Sequence, residues 1–104
     1  MGDHFHGLSP AEAERLYVLA EECAEVVVVV NKILRHGYES YNPHQSDLGS
    51  NREQLCTELG DVKYIVELMS DKDDIDPFAV DDSAEMAAKK KPKYLHHQGE
   101  QNDD

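Results

Sequence analysis

Apolar residues between positions 16 and 34 recur at helical spacing along two lines. One runs Leu19, Val26, Val29, Ile33 and the other Leu16, Ala20, Cys23, Val27, Val30, Leu34. Both pass through a run of five valines, and no unbroken apolar stretch in the chain is longer than five residues. Valine alone favours strands, but the ends of the segment carry helix signals, and period and caps outweigh local propensity. Ser9, Pro10 and Glu12 form a capping box with proline at the first helical position. Gly37 stands where a helix-ending glycine belongs, behind Arg35 and His36, which suit the negative end of the helix. The pattern predicts a helix over residues 10–36, with the valine run buried on most sides.

Residues 37–49, "GYESYNPHQSDLG", have turn composition. "SNRE" then repeats the capping signature with Ser50 and Glu53. Leu55, Val62, Ile65 and Met69 mark the core stripe of a second helix over about 51–70. Tyr64 is expected in the core. A shorter third helix is predicted from Pro77 or Ser83 to Lys90, broken by Pro92. The acidic stretch from Asp71 to Asp82 fails as a calcium loop, because Asp76 falls where glycine is needed and Asp82 where a bidentate glutamate is needed. It reads as a solvated helix end.

The expected fold is all-α: two long antiparallel helices and a shorter C-terminal one. The first helix is apolar nearly all round, which favours assembly into a helical bundle as a dimer or tetramer. One domain is expected over 1–104, its core at about 9–90. A polar lead with His4 and His6 precedes that core, and a flexible tail follows from 91.

Composition narrows the partners. The chain has 104 residues and a net charge of -12, from 22 acidic against 10 basic side chains. That opposes binding to nucleic-acid polymers or anionic membranes. No apolar run is long enough to span a bilayer, and no charged-then-apolar leader opens the chain. Cys23 and Cys56 lack CxxC spacing and are expected as reduced, small core residues of a cytoplasmic protein.

The acidic residues are placed unusually. Surface glutamates normally lie opposite the apolar stripe. Here Glu22 lies within it, between Leu19 and Val26, and Glu25 follows one turn later. The second helix repeats this with Glu58, between Leu55 and Val62, and Asp61. Each helix thus aims an i, i+3 carboxylate pair at the core side. Burial and mutual repulsion raise the pKa of such groups unless a positive charge compensates. Hard divalent cations prefer all-oxygen ligand sets, so a Mg²⁺ or Mn²⁺ site between the helices is one reading. A solvated groove edge is the other.

"EECAE" followed by "ELGD" resembles the EExxE…ExxD signature of the MazG-like all-α nucleoside triphosphate pyrophosphohydrolases, over residues 9–70. "LRHGYESYNP…NREQLCTELGD" resembles the phage-encoded branch in particular. One departure is the 32 residues between Glu25 and Glu58, longer than is usual there. The excess falls in the loop at 37–49, which borders the site.

The resemblance implies hydrolysis of an NTP to an NMP and pyrophosphate. It makes Glu22, Glu25, Glu58 and Asp61 metal ligands, with Glu21 joining a further metal or orienting the attacking water. Lys32, Arg35 and Arg52 become candidate phosphate contacts; dipole compensation and simple surface exposure are the alternatives. Tyr41 and Asn42 can stack on or read a base, or pack the loop. Lys93 and Tyr94, in "KKKPKYLHH", can close over substrate or form a solvated basic tail. The phage-type stretch favours dGTP and GTP over a broad or pyrimidine (dCTP/dUTP) preference. Two other classes remain: a non-catalytic metal-dependent nucleotide-binding module, and a di-iron bundle, whose usual Glu-x-x-His pairs are missing here.

Overall fold

The computed structural model describes residues 6–100. The start of the polar lead, with His4, and the last four tail positions lie outside the described residues. The described chain is all-helical, with no strand. Helix α1 spans Pro10–His36, α2 Asn51–Asp71 and α3 Pro77–Lys90. Short 3₁₀ turns occupy Pro43–Leu48, Lys91–Tyr94 and Gln98–Glu100. The chain divides into two compact units, one ending at Asp74 and the other beginning at Ile75.

Both predicted capping boxes form. The Ser9 hydroxyl accepts from the Glu12 N–H at 3.1 Å, and the Glu12 carboxylate accepts from the Ser9 N–H at 2.9 Å. Ser50 and Glu53 repeat the exchange at 3.1 and 3.2 Å. At the far end of α1, the Gly37 N–H donates to the Ile33 carbonyl at 2.7 Å. Gly37 has φ 90°, a conformation open to glycine and strained for other residues.

Within the first unit α1 packs on α2, and the two are antiparallel because contacts tie opposite ends together. At one end the Asn51 amide donates to the Gly37 carbonyl at 3.1 Å. The Asn51 and Arg52 N–H groups donate to the carbonyls of Ser40 and Tyr38, each at 2.8 Å. At the other end Arg15 grips Asp74 with two hydrogen bonds, at 2.6 and 2.9 Å. Both side chains are largely shielded, and each holds the other in its charged form: the Asp74 pKa is lowered and that of Arg15 raised, chiefly by their hydrogen bond.

Val29, Ile65 and Met69 are the buried apolar residues among those described. Leu19, Val26, Ile33, Leu55 and Val62 are half-buried around them, as the first predicted line and the α2 stripe require. The second line on α1 behaves differently. Leu16, Ala20, Cys23, Val27, Val30 and Leu34 are all exposed. The expectation that the valine run is buried on most sides is therefore corrected: Val27 and Val28 are 58% and 54% exposed, and only Val29 is buried. The physical reason is that α2 covers one face of α1 and leaves the opposite apolar face open. The same geometry corrects two smaller expectations, since Cys23, Cys56 and Tyr64 are exposed rather than in the core.

In the second unit, Asp76 caps α3 by accepting from the Phe78 N–H at 2.9 Å, and Pro77 occupies the first helical position. The helix ends in Lys89 and Lys90, then tightens into the turn Lys91–Tyr94.

Candidate functional site

The antiparallel register brings the two carboxylate pairs face to face. Carboxylate oxygens of Glu22, Glu58 and Asp61 can lie within 4.8 Å of one another, an arrangement able to hold a metal ion. Glu22 and Glu58 are half-buried and Asp61 is exposed, so the cluster opens to solvent on one side. Glu25 is not one of these three. Its carboxylate is a close neighbour of Glu58, as that of Asp61 is of Glu22. Glu21 is exposed and adds to the negative field at Glu22.

Burial is the main cause that pushes the Glu22 carboxyl above its usual range, followed by repulsion from Asp61, Glu25 and Glu21. Burial likewise leads at Glu58, followed by its contact with Glu25. Glu22 Oε2 and Glu58 Oε2 are fully buried oxygens that accept no hydrogen bond. A buried acceptor normally has a donor, and leaving it without one is destabilising. Two such oxygens beside further carboxylates fit a hard divalent cation, which needs oxygen ligands and neutralises their charge.

This has a measurable consequence. Carboxyls whose pKa is raised by folding bind protons more tightly in the folded state. They therefore favour the fold below their ordinary range and lose that contribution as pH rises through the raised values. Metal-free protein is expected to lose thermal stability as pH rises above the ordinary carboxylate range and through the raised values, with Mn²⁺ or Mg²⁺ restoring it most at the higher pH. Asp74 acts in the opposite sense. Its lowered pKa stabilises the fold above the ordinary aspartate range and is lost only as pH falls through the lowered value, so it leaves this window untouched. Melting curves across that range, with EDTA or metal, check the result; identical curves would refute it.

A cavity of about 370 Å³ lies further along the same helix pair, where α1 ends and α2 begins. Its walls include Lys32, Arg35, Tyr41, Asn42, Asn51 and Gln54. Lys32 is seven residues beyond Glu25, or about 10 Å along α1. The structure thus gathers four of the residues predicted to contact substrate into one place. Arg52 is not among the lining residues. Its guanidinium donates to Glu39 at 2.6 Å and lies 4.3 Å from the centre of the Tyr38 ring. Lys93 and Tyr94 lie in the second unit, where they line an open cavity of about 390 Å³ and the Lys93 ammonium sits 5.6 Å from the Tyr94 ring centre.

A family model described as the MazG nucleotide pyrophosphohydrolase domain matches residues 11–97. The chain belongs to the MazG family. No curated protein and no solved structure matches it. MazG proteins are nucleoside triphosphate pyrophosphohydrolases, generally dependent on divalent metal, and the acidic cluster of this MazG domain lies inside the matched span. Sequence reasoning missed Asn51 and Gln54 as cavity residues. The available signal was a pair of amides at i, i+3 directly after the α2 cap. No membrane-spanning helix is present among the described residues.

Proposed function

We propose that this MazG domain is a metal-dependent pyrophosphohydrolase converting a (d)NTP and water to a (d)NMP and pyrophosphate. Purine nucleotides, dGTP and GTP, are the favoured substrates. The observation carrying this reading is the pair of buried, unpartnered oxygens on Glu22 and Glu58, set in a carboxylate cluster within a MazG domain. Glu22, Glu25, Glu58 and Asp61 hold Mg²⁺ or Mn²⁺. When bound, the cation neutralises the triphosphate and lowers the pKa of water at the α-phosphate. Water oxygen attacks the α-phosphorus, the bond to the α–β bridging oxygen breaks, and its electron pair leaves with pyrophosphate. Glu21 orients the water and receives its proton. Lys32 and Arg35 bind phosphate oxygens at the cavity, and Tyr41 and Asn42 contact the base. Arg52 orders the loop through Glu39 and Tyr38, from where it reaches phosphate only by releasing Glu39. Lys93 and Tyr94 form a second phosphate-contacting pair. The resemblance to phage-encoded members makes removal of dGTP from a nucleotide pool in a host cytoplasm the fitting role.

Incubation with Mg²⁺ or Mn²⁺ and each common nucleotide, with products separated by ion exchange, tests this. NMP with pyrophosphate is expected, fastest from dGTP and GTP. Comparable rates with all eight nucleotides would remove the purine preference. Metal-dependent binding without turnover would favour the binding-module alternative.

We further propose that a second copy of the chain covers the exposed α1 face. That face is a continuous apolar line from Leu16 to Leu34, and a chain of this size buries little core alone. Sedimentation of the wild-type protein is expected to give a dimer or tetramer, and Val27→Lys, placed in the centre of that line, a smaller species. A wild-type monomer would sink the idea.

A further inference from the structure

We infer that the lysine-lined cavity of the second unit is a polyphosphate site that needs no metal ion, with Lys90, Lys91 and Lys93 as its anion contacts. This goes beyond the hydrolase reading, in which polyphosphate meets the carboxylate cluster only through a cation. The choice of polyphosphate among anions rests on that reading; the binding of an anion does not.

Helical period and one proline build the cavity. Ser83, Met86, Ala87 and Lys90 fall on one face of α3. The Lys91 N–H still donates to the Ala87 carbonyl, and Pro92 then turns the chain. That turn brings Lys91, Lys93 and Tyr94 to the same cavity of about 390 Å³. Asp81 and Glu85 lie on the opposite face of α3 and Asp82 lies to the side. Among the described residues, no carboxylate lines the cavity and none pairs with Lys90, Lys91 or Lys93.

Three unpaired ammonium groups in one wall are unexpected in a chain of net charge -12. Compensation of the helix dipole does not require them. A helix C-terminus carries about half a negative charge, and Lys89, in the last turn but off the cavity face, already exceeds that. The remaining lysines offer donors only, so their ligand brings several acceptor oxygens and more than one negative charge. Pyrophosphate and the triphosphate tail of a nucleotide both do. The net charge repels a nucleic-acid polymer or an anionic membrane. A small anion instead responds to charges within about one Debye length, roughly 8–10 Å. Tyr94, whose ring centre lies 5.6 Å from the Lys93 ammonium, adds an aromatic face that a nucleotide can use and pyrophosphate cannot.

Calorimetry on the full chain in EDTA tests this, with pyrophosphate, dGTP and orthophosphate as separate probes. Without metal the carboxylate cluster repels all three. Pyrophosphate and dGTP are expected to bind, orthophosphate at least about tenfold more weakly, and added salt to weaken all. Tighter binding of dGTP names the nucleotide as ligand; equal affinity names the polyphosphate group that both carry. The double variant Lys90→Gln, Lys93→Gln changes two exposed side chains. It is expected to keep native helicity and lose metal-free affinity by roughly tenfold or more. The double variant Lys32→Gln, Arg35→Gln, in the other cavity, is expected to leave that affinity unchanged. Absent or salt-insensitive binding in EDTA, equal binding of orthophosphate, or binding lost in the second variant and kept in the first overturns the assignment. Metal-free binding without turnover under Mg²⁺ or Mn²⁺ leaves this site standing and removes the hydrolase reading. Turnover without metal-free binding does the reverse.

Discussion

Glu58→Gln is expected to abolish turnover while making the metal-free protein more stable. The two effects have one cause. Glu58 is half-buried on α2, with one oxygen fully buried and unpartnered, and it faces Glu25 and Asp61. At neutral pH its charge is costly to the fold in the absence of a cation, because burial and like charge both oppose ionisation. Glutamine keeps the shape, removes the charge and supplies N–H donors to neighbouring carboxylates. Repulsion across the helix pair falls, and the thermal midpoint without metal rises. The same change removes a negatively charged ligand and with it the shift in midpoint on adding Mn²⁺. Hydrolysis is expected to fall by roughly 10²–10⁴-fold, the range seen when a group handling charge or protons in a transition state is lost. Product formation and melting curves on the same preparation check both arms. Loss of activity with loss of stability would mark Glu58 as structural, and unchanged activity would place the chemistry elsewhere.

A stability gain beside an activity loss is the signature of a site that stores unfavourable charge for function. It explains why the carboxylates were legible in the sequence. Glu22 and Glu58 interrupt apolar stripes where a surface residue has no reason to be, and their spacing from Glu25 and Asp61 follows from helical period alone. The capping boxes at Ser9 and Ser50 were equally legible, being local patterns of four residues, and they set the start of both long helices. What covers each face of α1 was not legible. Period shows that Val27 and Val29 lie on different lines, but both lines are apolar, and only packing on α2 decides that Val29 is buried and Val27 open. The Arg15–Asp74 pair joins residues 59 apart in sequence and depends on α2 ending beside the start of α1. The bonds from the Asn51 amide to the Gly37 carbonyl and from the Gln54 amide to the Gly49 carbonyl likewise depend on where the loop between the helices brings those carbonyls.

The thinness of the core makes Ile65 the side chain whose truncation is expected to matter most for folding. It is 2% exposed at the centre of the α2 stripe, with Met69 one turn on and Val29 contributed by α1. Ile65→Ala removes three buried carbons and leaves a cavity between two helices held in register at both ends. The Arg15–Asp74 pair and the Asn51–Gly37 bond limit how far the helices can close the gap. Substitutions of this kind cost about 2–5 kcal/mol, against a total stability of about 5–15 kcal/mol for an ordinary domain. For a domain of this size each kcal/mol shifts the midpoint by about 4–8 °C, so a fall of at least about 10 °C is expected. Val27→Ala supplies the contrast. Val27 is 58% exposed in the single chain, and truncation at an uncovered surface position is expected to cost within about 0.5 kcal/mol. If a second copy covers that face, Val27→Ala approaches the penalty of Ile65→Ala and its midpoint becomes dependent on protein concentration. Calorimetric unfolding of both variants at two concentrations reads the core and the interface separately. A midpoint for Ile65→Ala within about 2 °C of wild type, below the shift of a single kcal/mol, would show that the helix pair is held by something other than its buried stripe.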